Sequence, residues 1–220
     1  ARLAMERAGV PPLAALALCA RGLDTVEKAR RFLDSDLSLL HDPMEMRDMD
    51  RATARIDRAL REGETVAVYG DYDVDGITST CLLTDYLRSR GGHVIPYIPD
   101  RMEEGYGLNR EAVAALREQG VTLIVTVDCG ITAVEEARCA ACLGVDVVIT
   151  DHHECKAELP AAAAVVDPHR KDCPYPFKHL AGVGVALKLV LALGGPRREQ
   201  ALLRQYADLA AVGTVADVMA

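Results

Sequence analysis

Residues 66–80 read VAVYGDYDVDGITST, and the whole chain is organised around them. Val66 to Tyr69 run without a polar break into Gly70, as a strand buried on both faces does. Asp71, Asp73 and Asp75 then follow at alternate positions, ahead of Gly76 and a helical pattern from Ile77 to Arg90. Carboxylates that close repel: at an effective dielectric of about 20, two like charges 4 Å apart cost roughly 4 kcal/mol. Such a cluster is protonated, splayed into water or neutralised by a cation, and hard oxygen ligands point to magnesium, manganese or calcium.

A calcium-binding loop is excluded, because counting from Asp71 puts Leu82 where the twelfth-position glutamate belongs. Asp73-Val74-Asp75-Gly76 with Thr78 loosely resembles the strand-end motif of haloacid-dehalogenase-like phosphatases, in which Asp73 would be the nucleophile. A solvated acidic turn is the third reading, and the flanking chain has to decide among them.

Downstream, strands and helices alternate. Apolar strands are expected at His93–Ile98, Val121–Val127, Asp146–Ile149 and Ala163–Val166, with helices at Asn109–Gln119 and Thr132–Leu143 between them. The pattern predicts an α/β fold with a mostly parallel sheet of about five strands and helices on both faces. Upstream, residues 1–62 read as a small helical appendage, and residues 63–220 as the sheet-bearing domain. The appendage has helix starts at Pro11-Pro12 and Asp24-Thr25, and a third helix carrying Met49, Ala52, Ile56 and Ala59 at helical spacing.

Composition narrows the function. No apolar run approaches the roughly 18 residues of a membrane span, and no stretch reads as a signal peptide, so a cytoplasmic protein is expected. The seven cysteines are scattered, and Cys139/Cys142 is a lone C-x-x-C in a helical pattern; reduced thiols are expected, without zinc or redox roles. The net charge of -8 opposes long-range attraction of nucleic acid, leaving local contacts and cations to hold a polyanion. Arginine supplies 20 of the 25 basic residues, which suits forked phosphate contacts.

Polar groups collect at one edge of the expected sheet. The first strand ends in Asp71, Asp73 and Asp75, the third in Asp128, and the fourth in Asp151, His152 and His153. Open parallel sheets bind ligands beyond the carboxyl ends of their strands, so these groups are expected to converge there.

These residues resemble a known family. GDYDVDGITST, Val127–Gly130 (VDCG), Asp151-His152-His153 and Gly213-Thr214-Val215-Ala216-Asp217 are similar to the first four motifs of the DHH phosphoesterase superfamily. Within it the match resembles most the RecJ-type single-strand-specific exonucleases, through ARGLDTVEKARRFLDSDLSLLHDP, PDRMEEGYGLN and DPHRKDCPYPFKHLAGVGVALKL as well.

The resemblance implies a two-metal site of Asp73, Asp75, Asp128, His152 and Asp217, with Asp128 between the ions, and with Asp71, Asp151 and His153 beside it as orienting or phosphate-stabilising groups. It implies two divalent cations, manganese favoured by the imidazole and magnesium also suited. A neutral histidine is needed for ligation, so activity is expected to fall below about pH 6 to 7. The implied activity is 5′-to-3′ hydrolysis of single-stranded DNA to 5′-mononucleotides in repair and recombination, by a monomer working near single-strand-binding protein and a helicase. The dehalogenase reading leaves His152, His153 and Asp217 idle.

Substrate contacts are expected from Arg101, Tyr106 and Asn109 after the second strand and from His169, Arg170 and Lys171 after the fifth. Gly182 and Gly184 precede an apolar helix and would let the chain approach a phosphate or a neighbouring strand closely, with helix packing the favoured reason. Relatives of this kind carry a second, substrate-binding domain after the fourth motif, so a fragment is expected, with Asp217 near a fraying end. The alternatives are a DHH phosphodiesterase of short oligonucleotides or cyclic dinucleotides, and a catalytically silent DHH binding module.

Overall fold

The computed structural model describes residues 1–33, 39–102 and 104–219. Residues 34–38 and Glu103, which belong to two of the family-like stretches, therefore lie outside the described residues. Two compact units divide between His41 and Asp42. The first holds α1 (Arg2–Arg7), α2 (Pro12–Ala20) and α3 (Val26–Leu33) around Met5, Val10, Ala15, Leu18 and Ala29. Pro12 starts α2 with its φ preset and without an N–H that the first turn would leave unpaired.

The second unit begins earlier than the break expected at residue 62. Helix α4 (Met49–Glu62) belongs to it: Met49, Ala52, Ile56 and Ala59 pack in one cluster with Val66 and Val68 of β1 (Thr65–Tyr69) and with Leu82 and Leu83 of α5 (Val74–Ser89). Helical spacing identifies a buried face but not the unit that buries it. Arg55 of α4 strengthens the attachment, pairing with both oxygens of Glu64 at 3.0 and 2.7 Å and with Asp146 at 2.6 Å.

The remaining elements are β2 (His93–Tyr97), α6 (Arg110–Glu118), β3 (Val121–Thr126), α7 (Val134–Cys142), β4 (Asp146–Thr150), β5 (Ala164–Val166), α8 (Gly182–Gly194) and α9 (Glu199–Ala216). The five strands form one sheet in the order β2-β1-β3-β4-β5, every neighbouring pair parallel. Side chains alternate between two cores, as a strand's period of two requires. Val66, Val68, Val125 and Val148 face α4, α5, α8 and α9, whereas Ala67, Tyr69, Ile124, Val147 and Ile149 face α6 and α7. Among the described residues no helix is long and apolar enough to cross a membrane.

The chain leaves β1 outward to β2, then returns to place β3 on the other side of β1. That reversal opens a crevice beyond the ends of β1 and β3, where Asp71 to Asp75 and Asp128 lie. One local expectation changes. Helix α5 starts at Val74, three residues early, because Asp73 caps it and Asp75 falls in its first turn. Residues 199–216 form one helix, α9, that ends at Asp217.

Candidate metal centre

β1 ends at Gly70, whose N–H donates to Tyr97 O at 3.0 Å, and the chain turns at once into α5. Asp73 makes the turn: its Oδ1 accepts from Gly76 N at 2.8 Å. A Cβ on Gly76 would stand 2.5 to 2.7 Å from the backbone of Asp71, so only glycine lets the helix start under that residue. The turn sends Asp75 inward, where it is 1% exposed. Its Oδ2 accepts from Gly182 N at 2.6 Å and its Oδ1 from Val183 N at 2.9 Å, the free amides at the start of α8.

Asp128 leaves β3 in the left-handed region, φ 59°, which aspartate tolerates better than most residues. β4 leads into Asp151-His152-His153. Asp151 is fully buried and works as an anchor: Oδ2 accepts from Ile131 N at 2.8 Å, while Oδ1 accepts from His152 N at 2.7 Å and His153 N at 3.1 Å. The same Oδ1 lies 2.7 Å from His153 Nδ1, which holds that ring with Nε2 turned away from the anchor.

The four lines of chain meet at His152. Its Nε2 lies 3.1 Å from Asp128 Oδ1, 3.7 Å from Asp217 Oδ2 and 3.8 Å from Asp75 Oδ2. Asp217 gets there as the C-cap of α9, its N–H donating to Gly213 O at 2.9 Å, which fixes a residue expected to fray. Three sets of donors each lie within 4.8 Å: Asp75, His152 and Asp217; Asp71, Asp73 and Asp128; and Asp128, His152 and His153. Each set could hold a cation. Asp128 and His152 are each shared by two of them.

The electrostatics of the site are strained. Burial pushes the carboxyls of Asp71 and Asp75 up, and takes Asp128 to about 7 with Asp75 and Asp73 adding to it and His152 opposing. Burial alone would also raise Asp151, but the His153 imidazole and the surrounding N–H donors hold it below its ordinary value. His152 is pulled down by burial and raised more strongly by Asp128. Its partner ring, His153, is lifted to about 9 by the hydrogen bond it donates to Asp151.

One detail fits a cation well. Asp128 Oδ1 is buried and makes no hydrogen bond among the described residues, although His152 Nε2 is 3.1 Å away. A buried carboxylate oxygen left without a hydrogen bond beside an imidazole nitrogen is placed as a pair of ligands to one cation would be.

The family model for the DHH family, N-terminal domain, matches residues 65–214. The chain belongs to the DHH family. It is 48% identical over 214 residues to the single-stranded-DNA-specific exonuclease RecJ of Bacillus subtilis, covering 97% of this chain and 27% of that protein. It is 39% identical to the enzyme of the same name from Escherichia coli, covering 96% of this chain and 38% of that one. The crystal structure of RecJ in complex with Mn2+ from Thermus thermophilus superposes with a TM-score of 0.74 at 37% identity, over 98% of this chain and 29% of that chain. The chain thus spans well under half the length of these relatives.

The DHH fold places the expected substrate residues unequally. Tyr106 is 54% exposed and its hydroxyl is 3.4 Å from His153 Nε2; the guanidinium carbon of Arg101 stands 4.9 Å from the ring centre of Tyr72. Both overlook the site. Asn109 is engaged within the protein: its Oδ1 caps α6 through Ala112 N, and its Nδ2 donates to Tyr69 and Glu104. Arg170 is likewise engaged, buried against Asp48 and Asp172 at 2.8 Å each. His169 is half-buried beside Asp167, and Lys171 is exposed.

Sequence reasoning missed Gly182 and Val183 as amide donors to Asp75. It also took helix packing as the reason for Gly182, whereas a Cβ there would lie 2.5 Å from both Cβ and Oδ1 of Asp128. Gly184 does meet the packing expectation, with Leu180 3.2 Å from its would-be Cβ. A glycine at the first residue of a helix was the available signal.

Proposed function

We propose that this chain is the DHH catalytic part of a metal-dependent exonuclease that hydrolyses single-stranded DNA from the 5′ end, releasing 5′-mononucleotides in repair and recombination. The observation that carries the reading is the buried Asp128 Oδ1, unpaired by hydrogen bonding yet 3.1 Å from His152 Nε2, where carboxylates from three chain segments meet. The likeness to the RecJ enzymes over almost the whole chain supports the substrate class.

Asp73, Asp75, Asp128, His152 and Asp217 would hold two divalent cations, manganese or magnesium, with Asp128 shared; the imidazole favours manganese. Such a pair, when bound, lowers the pKa of water and offsets the charge of the phosphate and of the leaving oxygen. His152 would contribute a neutral ring nitrogen, and the α8 amides fix the orientation of Asp75 and favour its ionised form against the burial that raises its pKa. His153, kept cationic by Asp151, presents Nε2–H towards the crevice, where it can donate to a phosphate oxygen. Arg101 adds a second positive group, and Tyr106 a ring on which a base can stack. The working form is read as a cytoplasmic monomer, with single-strand-binding protein and a helicase supplying its substrate.

The test is digestion of a 5′-phosphorylated, 3′-labelled single strand by the natural full-length protein with manganese, beside a duplex and an Asp128→Ala variant. Mononucleotides from the 5′ end of the single strand, abolished by the substitution, are expected. Cleavage of dinucleotides or cyclic dinucleotides with long strands intact would overturn the exonuclease reading.

A further inference from the structure

The loop between β2 and α6 carries Arg101 and Tyr106, and its described residues form no helix or strand. Ordering such a segment costs roughly 1 to 2 kcal/mol of backbone entropy per residue, so whatever holds its shape has to be specific. A polar clamp does so, and its members come from three different elements.

Its base is a pair of tyrosines. Tyr69 and Tyr97 end β1 and β2 in register with each other, and their rings stack at 5.0 Å between centres. Tyr69 is fully buried, and its hydroxyl donates upward to Gly107 O at 2.9 Å. Glu104 joins the parts. Its Oε2 accepts from Tyr97 Oη at 2.6 Å and from Asn109 Nδ2 at 3.1 Å, while its Oε1 accepts from Asp100 N at 2.9 Å. Asn109 Nδ2 donates in turn to Tyr69 Oη at 3.2 Å.

Resting on the function proposed above, we infer that Glu104 is a positioning residue: through Tyr97, Asn109 and Tyr69 it fixes residues 98–102 and 104–109 so that Tyr106 and Arg101 stand over the carboxylate and histidine cluster. The loop's working end supports this, since Tyr106 Oη reaches His153 Nε2 at 3.4 Å while its backbone neighbour Gly107 is held by Tyr69. Tyr69 lies two residues before Asp71, so loop and metal ligands are referenced to the same strand end. Three donors converge on one carboxylate, so it cannot be replaced by its amide: Glu104→Gln has a single acceptor oxygen and points an NH2 group at an N–H or O–H donor. The carboxylate's ionised state is favoured by the same donors.

The test compares Glu104→Gln, Tyr97→Phe and the double variant of the natural full-length protein on two substrates, a long 5′-phosphorylated single strand and bis-p-nitrophenyl phosphate, with manganese binding measured alongside. Bis-p-nitrophenyl phosphate reaches the metal ligands without spanning the loop. The expected result is a rise of about tenfold or more in KM for the strand, with kcat, manganese affinity and bis-p-nitrophenyl phosphate hydrolysis within about twofold of the parent, and a double variant no worse than Glu104→Gln alone. Equal losses on both substrates, or none on either, would overturn the positioning role. If the parent cleaves neither, the exonuclease proposal fails by itself. Amide exchange across residues 98–109 then decides the clamp, faster by tenfold or more in Glu104→Gln if it operates and unchanged if it does not.

Discussion

Nε2 of His152 sits 3.1 Å from Oδ1 of Asp128, both buried, and the two are not aligned as a hydrogen bond. In the metal-free chain Asp128 is therefore a liability: burial lifts its pKa to about 7, so keeping it ionised above that pH costs folding free energy. Asp128→Asn is expected to stabilise the protein in EDTA by about 1 to 3 kcal/mol at pH 8, while lowering DNA hydrolysis by at least about 100-fold. Urea unfolding at pH 8 with the chelator checks the first part; a variant less stable than the parent would contradict it.

Gly182 leaves no room for a side chain. A Cβ would meet Asp128 at 2.5 Å and shift the α8 amides that hold Asp75. Gly182→Ala is expected to weaken manganese binding about tenfold or more and to cost about 1 to 3 kcal/mol of stability, the usual range for overpacking. Calorimetric titration with manganese reads the binding, and unaltered affinity would show that the site adapts.

Asp151 accepts hydrogen bonds on both oxygens and has no exposed surface. Asp151→Asn replaces one acceptor with a donor that faces an N–H. A loss of about 2 to 3 kcal/mol in stability is expected, with a 10- to 100-fold fall in activity as His153 loses its orientation. A drop in the His153 pKa from about 9, followed by NMR, would accompany it.

Acid should loosen α4 from the sheet. Glu64 is held below its ordinary pKa, chiefly by the hydrogen bonds from Arg55, so its share of stability is complete above about pH 5 and is lost as the pH falls through 4 and lower. Glu64→Gln is expected to cost about 1 to 3 kcal/mol at pH 7 and clearly less at pH 3.5, because Arg55 loses its bidentate partner and keeps only Asp146. A difference independent of pH would exclude this linkage.

The parallel sheet and its acidic edge were legible because apolar runs ending in Asp71, Asp128 and Asp151 are local signals that point to one sheet edge, whereas the order of the strands was not. Asp217 was reached only through the family resemblance, since its arrival depends on how α9 packs. The roles of Asn109 and Arg170 could not be read: a polar side chain after a strand looks the same whether it meets a ligand or a buried neighbour such as Glu104 or Asp48. The position of α4 failed for the same reason, since a hydrophobic stripe does not name the surface that covers it.

The carboxylates and His152 are proposed above to form a paired cation site, and electron paramagnetic resonance during a manganese titration distinguishes a pair from isolated ions. Two manganese ions bound per chain with the multiline spectrum of an exchange-coupled pair are predicted, with the coupling lost in Asp128→Ala. A six-line spectrum of isolated ions at every stoichiometry, unaltered by the substitution, would contradict the account.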